Sequence, residues 1–184
     1  MGTLVVISSP SGAGKNSIIR KLLEQCENSV RFVTTTTRSM RPGEVNGEDY
    51  FFVSHEKFQS LMLENAFIEY NCYAGEYYGS EKSKLDSVLK KYAFVFGAID
   101  IHGKHALDVQ KISHISIFLL PENLEALEHR ILARGGVDDQ KLKERMNMAT
   151  EEMKAAGMYD YRVMNREGKM DEAVQKIIEI LEVF

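Results

Sequence analysis

Ser9-Pro10-Ser11-Gly12-Ala13-Gly14-Lys15 is a run of small residues that ends in a cation. Small residues and glycines let successive backbone N–H groups point inward at phosphate oxygens. A helix that starts at the end of such a loop adds its positive N-terminus, and Lys15 adds a mobile point charge. The general pattern has Gly where Ser9 stands, and Ser or Thr where Asn16 stands. That hydroxyl normally touches Mg²⁺. The Asn16 amide oxygen can also ligate a hard cation, and Ser17 is adjacent.

Arg38 and Arg41 lie three apart in a loop, followed by Glu44. Guanidinium forks match phosphate bidentately. Tyr50 and the pair Tyr77-Tyr78 offer hydroxyl donors. Two loop arginines alone are usually solvated surface. Beside a phosphate loop they suggest a second anion site, as a kinase acting on a phosphorylated acceptor needs. Glu69 sits among Phe67, Ile68 and Tyr70. Its carboxylate either faces solvent or accepts two N–H bonds from guanine, a donor pair that adenine lacks. Asp100 ends an apolar run, at the strand edge where α/β sheets bind ligands. Arg130, Arg134 and Arg145 flank Gly135-Gly136. They are either a lid that brings guanidinium groups to a transferring phosphate or a solvated helix pair.

These groups need elements to hold them. Leu4–Ile7 reads as a strand buried on both faces, and Lys15–Cys26 as a helix with Ile18, Ile19, Leu22 and Leu23 on one face. Arg31–Thr37 and Tyr50–Val53 read as strands, and His55–Asn65 as a helix. Phe67–Tyr78 reads as a hairpin, Glu81–Lys91 as a helix and Ala93–Ile99 as a buried strand. His102–Val109 is predicted helical and Ile115–Leu120 extended. Pro121-Glu122 is predicted to start a helix that runs to about Ala133. Asp139–Ala156 is a long polar helix, Tyr161–Met164 a short strand and Met170–Val183 an amphipathic helix.

Strand–helix alternation indicates an α/β fold, a P-loop parallel sheet core flanked by helices. The stretch 34–80 breaks the alternation and reads as an inserted small mixed or antiparallel subdomain. One domain suits the 184 residues, with 44% apolar and 27% charged content. Charge is −4, from 23 basic and 27 acidic residues, so no global basic excess points to nucleic acid. Cys26 and Cys72 form no metal-type pair, which suits a reducing, cytoplasmic setting. The segment Met1–Ile7 does not read as a signal peptide, and no apolar run of about 18 residues suggests a membrane span.

Together these residues resemble guanylate kinase, a nucleoside monophosphate kinase family, over nearly the whole chain. The most specific block is Thr35-Thr36-Thr37-Arg38, then Arg41-Pro42-Gly43-Glu44-Val45-Asn46-Gly47-Glu48-Asp49-Tyr50-Phe51-Phe52-Val53. Phe67-Ile68-Glu69-Tyr70, Tyr77-Tyr78-Gly79-Ser80, Ile99-Asp100, Arg134-Gly135 and Tyr159-Asp160-Tyr161 with Asn165 follow in family order.

The resemblance implies ATP-dependent phosphorylation of GMP, and of dGMP, with Mg²⁺ accompanying ATP. It implies that Arg38, Arg41, Tyr50 and Tyr78 hold the GMP phosphate while Glu44 supports the arginines. Glu69 with Thr34, Ser80 and Asp100 would read guanine and orient the acceptor. Lys15, Arg134 and Arg145 would act on the ATP phosphates, with Arg38 completing the catalytic set. Ser9, Pro10, Ser11, Gly12, Ala13, Gly14, Asn16 and Ser17 would cradle ATP, and Asn165 would lie near adenine.

The implied layout is a core of 1–33, 81–133 and 157–184, a GMP-binding subdomain 34–80 and a lid 134–156. ATP and GMP are the expected partners of a monomer or homo-oligomer, without nucleic acid or membrane. Thr34 stands where the family has Ser, and Ala98 and Arg166 stand where it has aspartates. With Asn16, these departures bear on rate and metal affinity more than on fold. Two other readings stay open: a guanylate-kinase-like binding module without catalysis, and a kinase for a different phosphorylated acceptor.

Overall fold

The structure, a computed structural model, describes residues 1–10, 12–73, 75–133 and 138–184. The chain begins β1 (Thr3–Ser8), α1 (Lys15–Gln25), β2 (Ser29–Phe32), β3 (Thr35–Thr36) and β4 (Phe51–Phe52). Next come α2 (His55–Leu63), β5 (Phe67–Tyr73), β6 (Glu76–Glu81), α3 (Lys82–Leu89) and β7 (Phe94–Ala98). Then follow α4 (Ile101–Val109), β8 (His114–Pro121), α5 (Leu124–Ala133) and α6 (Asp139–Lys154). A 3₁₀ turn (Ala155–Met158), β9 (Tyr161–Asn165) and α7 (Met170–Leu181) close the chain.

Two sheets organise these elements. One has five parallel strands in the order β2-β7-β1-β8-β9, and the other four in the order β4-β3-β6-β5. The continuous apolar runs form the buried strands of the first sheet: Leu4 to Ile7, Val95, Phe96 and Ile117 to Leu119 are all inaccessible to solvent. The second sheet is mixed. β3 runs parallel to β4 and antiparallel to β6.

By packing, the described chain forms two compact units. The first comprises Met1–Leu4, Asn28–Gly97 and His102–His114. Its second sheet closes over Phe58 of α2, which stacks on Phe67 with ring centroids 4.4 Å apart. Gly79 lies against those rings. A Cβ there would come within 2.7 Å of Phe67 Cδ1 and 3.0 Å of Phe58 Cζ. Gly79→Ala is therefore expected to destabilise the protein by about 1–3 kcal/mol through overpacking. Thermal melting should register this as about 2–4 °C per kcal/mol for a chain of this size. An unchanged Tm would mean that the two rings yield freely.

The second unit comprises Val5–Glu27, Ala98–Ile101 and Ile115–Phe184. α7 buries Ala173, Val174, Ile177, Ile180 and Leu181 and packs on β9 and α1, as its apolar spacing dictates.

Three expectations are corrected. Arg31–Thr37 is two strands, because β2 pairs with β7 in the first sheet while β3 pairs with β4 and β6 in the second. Pro121 ends β8 opposite Asn165 and does not start a helix. α5 begins at Leu124, with the Asn123 Oδ1 accepting from the Ala126 N–H at 2.7 Å, a side-chain cap that outcompetes the proline signal. The hairpin strand continues through Glu81, so α3 starts at Lys82.

Candidate active site

β1 delivers Ser8 to the mouth of the small-residue loop. Gly12 and Gly14 adopt φ of 94° and 92°, the left-handed region that glycine enters without a Cβ penalty. Gly14 precedes α1 with no side-chain cap, which leaves the first-turn N–H groups available to an anion. Ser11 lies outside the described residues.

Ser8, Ser9, Gly14, Lys15, Asn16 and Asp100 are among the residues lining a cavity of about 250 Å³. Burial pushes the Lys15 ammonium below its ordinary value of 10.5, and Asp100 and Glu152 in the same cavity partly restore it. The Ser8 hydroxyl donates to the Ile99 carbonyl at 2.5 Å and so ties the end of β1 to the residue before Asp100.

Asn165, 2% exposed, donates its Nδ2 to the Ala13 carbonyl at 2.8 Å. Its own carbonyl accepts from Arg130 Nη2 at 3.0 Å. A Cβ on Gly14 would sit 2.7 Å from that Nδ2, so the close approach requires glycine. Asn165 also lines a neighbouring cleft of about 410 Å³ with Gly12, Gly14, Ser17, Arg130 and Arg166. Ala13 is buried with Leu127 and Ile131 of α5 and Ala149 of α6, and Leu142 and Met146 pack alongside. Arg145 stands half-buried on α6. Arg134 and Gly135-Gly136 lie outside the described residues. Arg166 is exposed, 3.9 Å from a Glu172 carboxylate oxygen.

In the first unit the arginine loop is tightly cross-braced. Arg38 Nη1 and Nη2 donate to the Glu44 carboxylate at 3.0 and 2.7 Å, and the Arg41 backbone N–H donates to the same group at 2.7 Å. The Arg38 hydrogen bond, then the Arg41 N–H, holds the Glu44 carboxyl below the usual carboxylate value. The guanidinium lies over Tyr50 at 5.4 Å and Phe52 at 5.6 Å, and Tyr78 meets Tyr50 edge-on at 5.9 Å. Burial, then the neighbouring Tyr78, pushes the Tyr50 phenol up. Arg38, Glu44, Tyr50 and Tyr78 are thus one cluster. Arg41 keeps its side chain exposed.

The hairpin brings Glu69 opposite Ser80, and the Ser80 hydroxyl donates to the Glu69 carboxylate at 2.6 Å. Thr34 is half-buried, and its carbonyl accepts from the Phe51 N–H at 2.9 Å. Asp100 belongs to the second unit, where its charge acts on Lys15.

Sequence reasoning missed several groups. Thr35 donates to Glu81, and Lys84 Nζ reaches both, at 3.0 Å to the hydroxyl and 2.6 Å to the carboxylate. This network braces β3 against the start of α3. The Thr37 hydroxyl donates to Glu76 at 2.6 Å. Glu152 reaches the lysine cavity from α6. Alternation along β3 was the available signal, because it sets Thr35 on the face opposite Thr34 and Thr36.

A family model described as guanylate kinase matches residues 1–183. The chain belongs to the guanylate kinase family. A guanylate kinase of Histophilus somni (strain 129Pt) is 40% identical over 183 residues, covering 98% of this chain and 87% of that one. One of Wolbachia pipientis wMel is 39% identical, covering 98% and 89%. The crystal structure of guanylate kinase from Anaplasma phagocytophilum superimposes with a TM-score of 0.76 at 30% identity, over 99% of this chain and 85% of that one. A shikimate kinase from Bacteroides thetaiotaomicron shares the fold alone, at a TM-score of 0.55 and 14% identity. No described helix is long and apolar enough to cross a membrane.

Proposed function

We propose that this chain transfers the γ-phosphoryl group of ATP to the phosphate of GMP, and of dGMP. The observation that carries the reading is the Arg38–Glu44–Tyr50–Tyr78 cluster in a chain that also has a left-handed glycine loop before Lys15.

On this reading Arg38, Arg41, Tyr50 and Tyr78 hold the acceptor phosphate, and Glu44 keeps the Arg38 fork in one plane. Glu69 accepts from the guanine N1–H and exocyclic amine, with Ser80 fixing its carboxylate and Thr34 and Asp100 assisting. Residues 9–17 hold the triphosphate. Lys15 supplies charge to the transferring group, joined by Arg134 and Arg145 of a lid spanning 134–156. Asn165 acts by holding Ala13. The acceptor phosphate is already ionised, so transfer needs positioning and charge rather than a general base. The GMP-binding subdomain spans 34–80, and the core is 1–33, 81–133 and 157–184.

The residues present fit a magnesium ion. Among the described residues no three His, Cys, Asp or Glu side chains cluster as a metal cage. The lysine cavity is instead lined by Asn16, Asp100 and Glu152, whose side chains carry hard oxygens. Mg²⁺ typically takes one or two protein oxygens, with phosphates and water completing its shell. When bound with ATP, the ion neutralises charge on the β- and γ-phosphates.

The test is ADP release with ATP and Mg²⁺, offering GMP, dGMP, AMP and CMP in parallel. GMP and dGMP should turn over, with AMP and CMP at background. No turnover by a protein that still binds GMP would leave a binding module, and turnover with AMP or CMP would sink the base assignment.

A further inference from the structure

Where β5 meets β6 the pairing slips by one residue. Phe67 faces Glu81 and Glu69 faces Ser80, so Ile68 is the extra residue of a β-bulge. A bulge takes a residue out of the ladder and re-aims its neighbours. Ile68 is 6% exposed, so its carbonyl needs a partner other than water. Gln110 supplies one: its Nε2 donates to the Ile68 carbonyl at 2.6 Å.

Gln110 is itself firmly placed. Its N–H donates to the Ala106 carbonyl at 3.1 Å. Lys111 takes φ of 55°, its N–H reaches the Asp108 carbonyl at 3.0 Å, and the Ile112 N–H reaches the Leu107 carbonyl at 3.0 Å. These are the two bonds of a Schellman ending, with Gln110 as the last residue before the left-handed turn. The amide that grips the bulge therefore starts from a locked backbone.

We propose that Gln110 is a positioning residue for base recognition: it pins the Ile68 bulge and so aims the Glu69 carboxylate that Ser80 holds from β6. The inference rests on the reading that Glu69 accepts from guanine. Gln110 touches no substrate, and its effect passes through one backbone carbonyl to the next side chain.

The experiment uses the full-length kinase with GMP and IMP as acceptors. IMP retains the N1–H but lacks the exocyclic amine, so the GMP-to-IMP ratio reports how well both carboxylate oxygens are aimed. Gln110→Met keeps length and removes the donor. Loss of one neutral hydrogen bond should raise the GMP KM about three- to tenfold and narrow the GMP preference over IMP. The ATP KM and kcat should stay in place, while the orphaned Ile68 carbonyl lowers Tm by a few degrees. Gln110→Lys retains a donor of similar reach and should stay near wild type.

Glu69→Gln, run in parallel, should abolish the preference. If it does and Gln110→Met leaves both the GMP KM and the ratio unchanged, the proposal is overturned. The same follows if the GMP and ATP KM rise together, or if the GMP KM rises with the ratio intact, since each is a general structural effect. If Glu69→Gln leaves the preference intact, the base reading falls, and the role of Gln110 falls with it.

Discussion

Lys15→Met is expected to lower kcat by about 10²–10³, the usual cost of removing one preorganised charge from a transition state, while leaving the nucleotide-free protein no less stable. The second half follows from the environment of Lys15. Burial disfavours the ammonium, and Asp100 and Glu152 compensate only in part, so its folded value lies below 10.5. Between that lowered value and 10.5 the unfolded chain binds more protons than the folded one, so stability rises with pH across the window. Below the folded value the full penalty of the buried charge applies. Methionine carries no such penalty. The Tm advantage of the variant should therefore be greatest near neutral pH and shrink as pH approaches 10.5. Melting curves at several alkaline pH values, with steady-state kinetics, provide the check. A Tm loss of several degrees at neutral pH would show that the ammonium stabilises the fold.

Arg38→Lys should raise the GMP KM about ten- to a hundredfold and move the ATP KM much less. Hydrogen bonds to charged groups contribute about 1.5–3 kcal/mol. A lysine cannot present two coplanar N–H groups, and the Glu44 carboxylate takes two from the Arg38 fork. The variant also loosens the loop, because Glu44 bridges Arg38 and the Arg41 N–H. The Glu44 carboxyl lies below 4.5 in the folded protein. The stability it confers is thus present above 4.5 and fades as pH falls through its lower folded value. In the variant that acid-side loss should shift toward the ordinary carboxylate range. Equal changes in both KM values would remove Arg38 from the acceptor site.

What the sequence disclosed depended on how far apart the partners are. The glycine loop was legible because its chemistry needs contiguous backbone, and its order (strand, loop, helix) lies within 25 residues. Arg38 and Glu44 are six apart and were read together. Glu69 and Ser80 required the hairpin register, and an eleven-residue separation allowed only the suggestion of a shared site. Gln110, Glu152 and Ser8 were invisible because their partners lie far along the chain, 42 and 91 residues away for Gln110 and Ser8. Pro121 misled because proline suits both a strand end and a first helical turn, and the Asn123 cap decided between them. The split of Arg31–Thr37 left no local signal, since threonine and valine favour extended backbone in either sheet.

The Asn165–Ala13 bond spans 152 residues, and it sets an order of events during synthesis. At about 5–20 residues per second, the glycine loop waits about 8–30 seconds for the amide that holds it. Leu127, Ile131 and Ala149, which bury Ala13, also reach it only late in that interval.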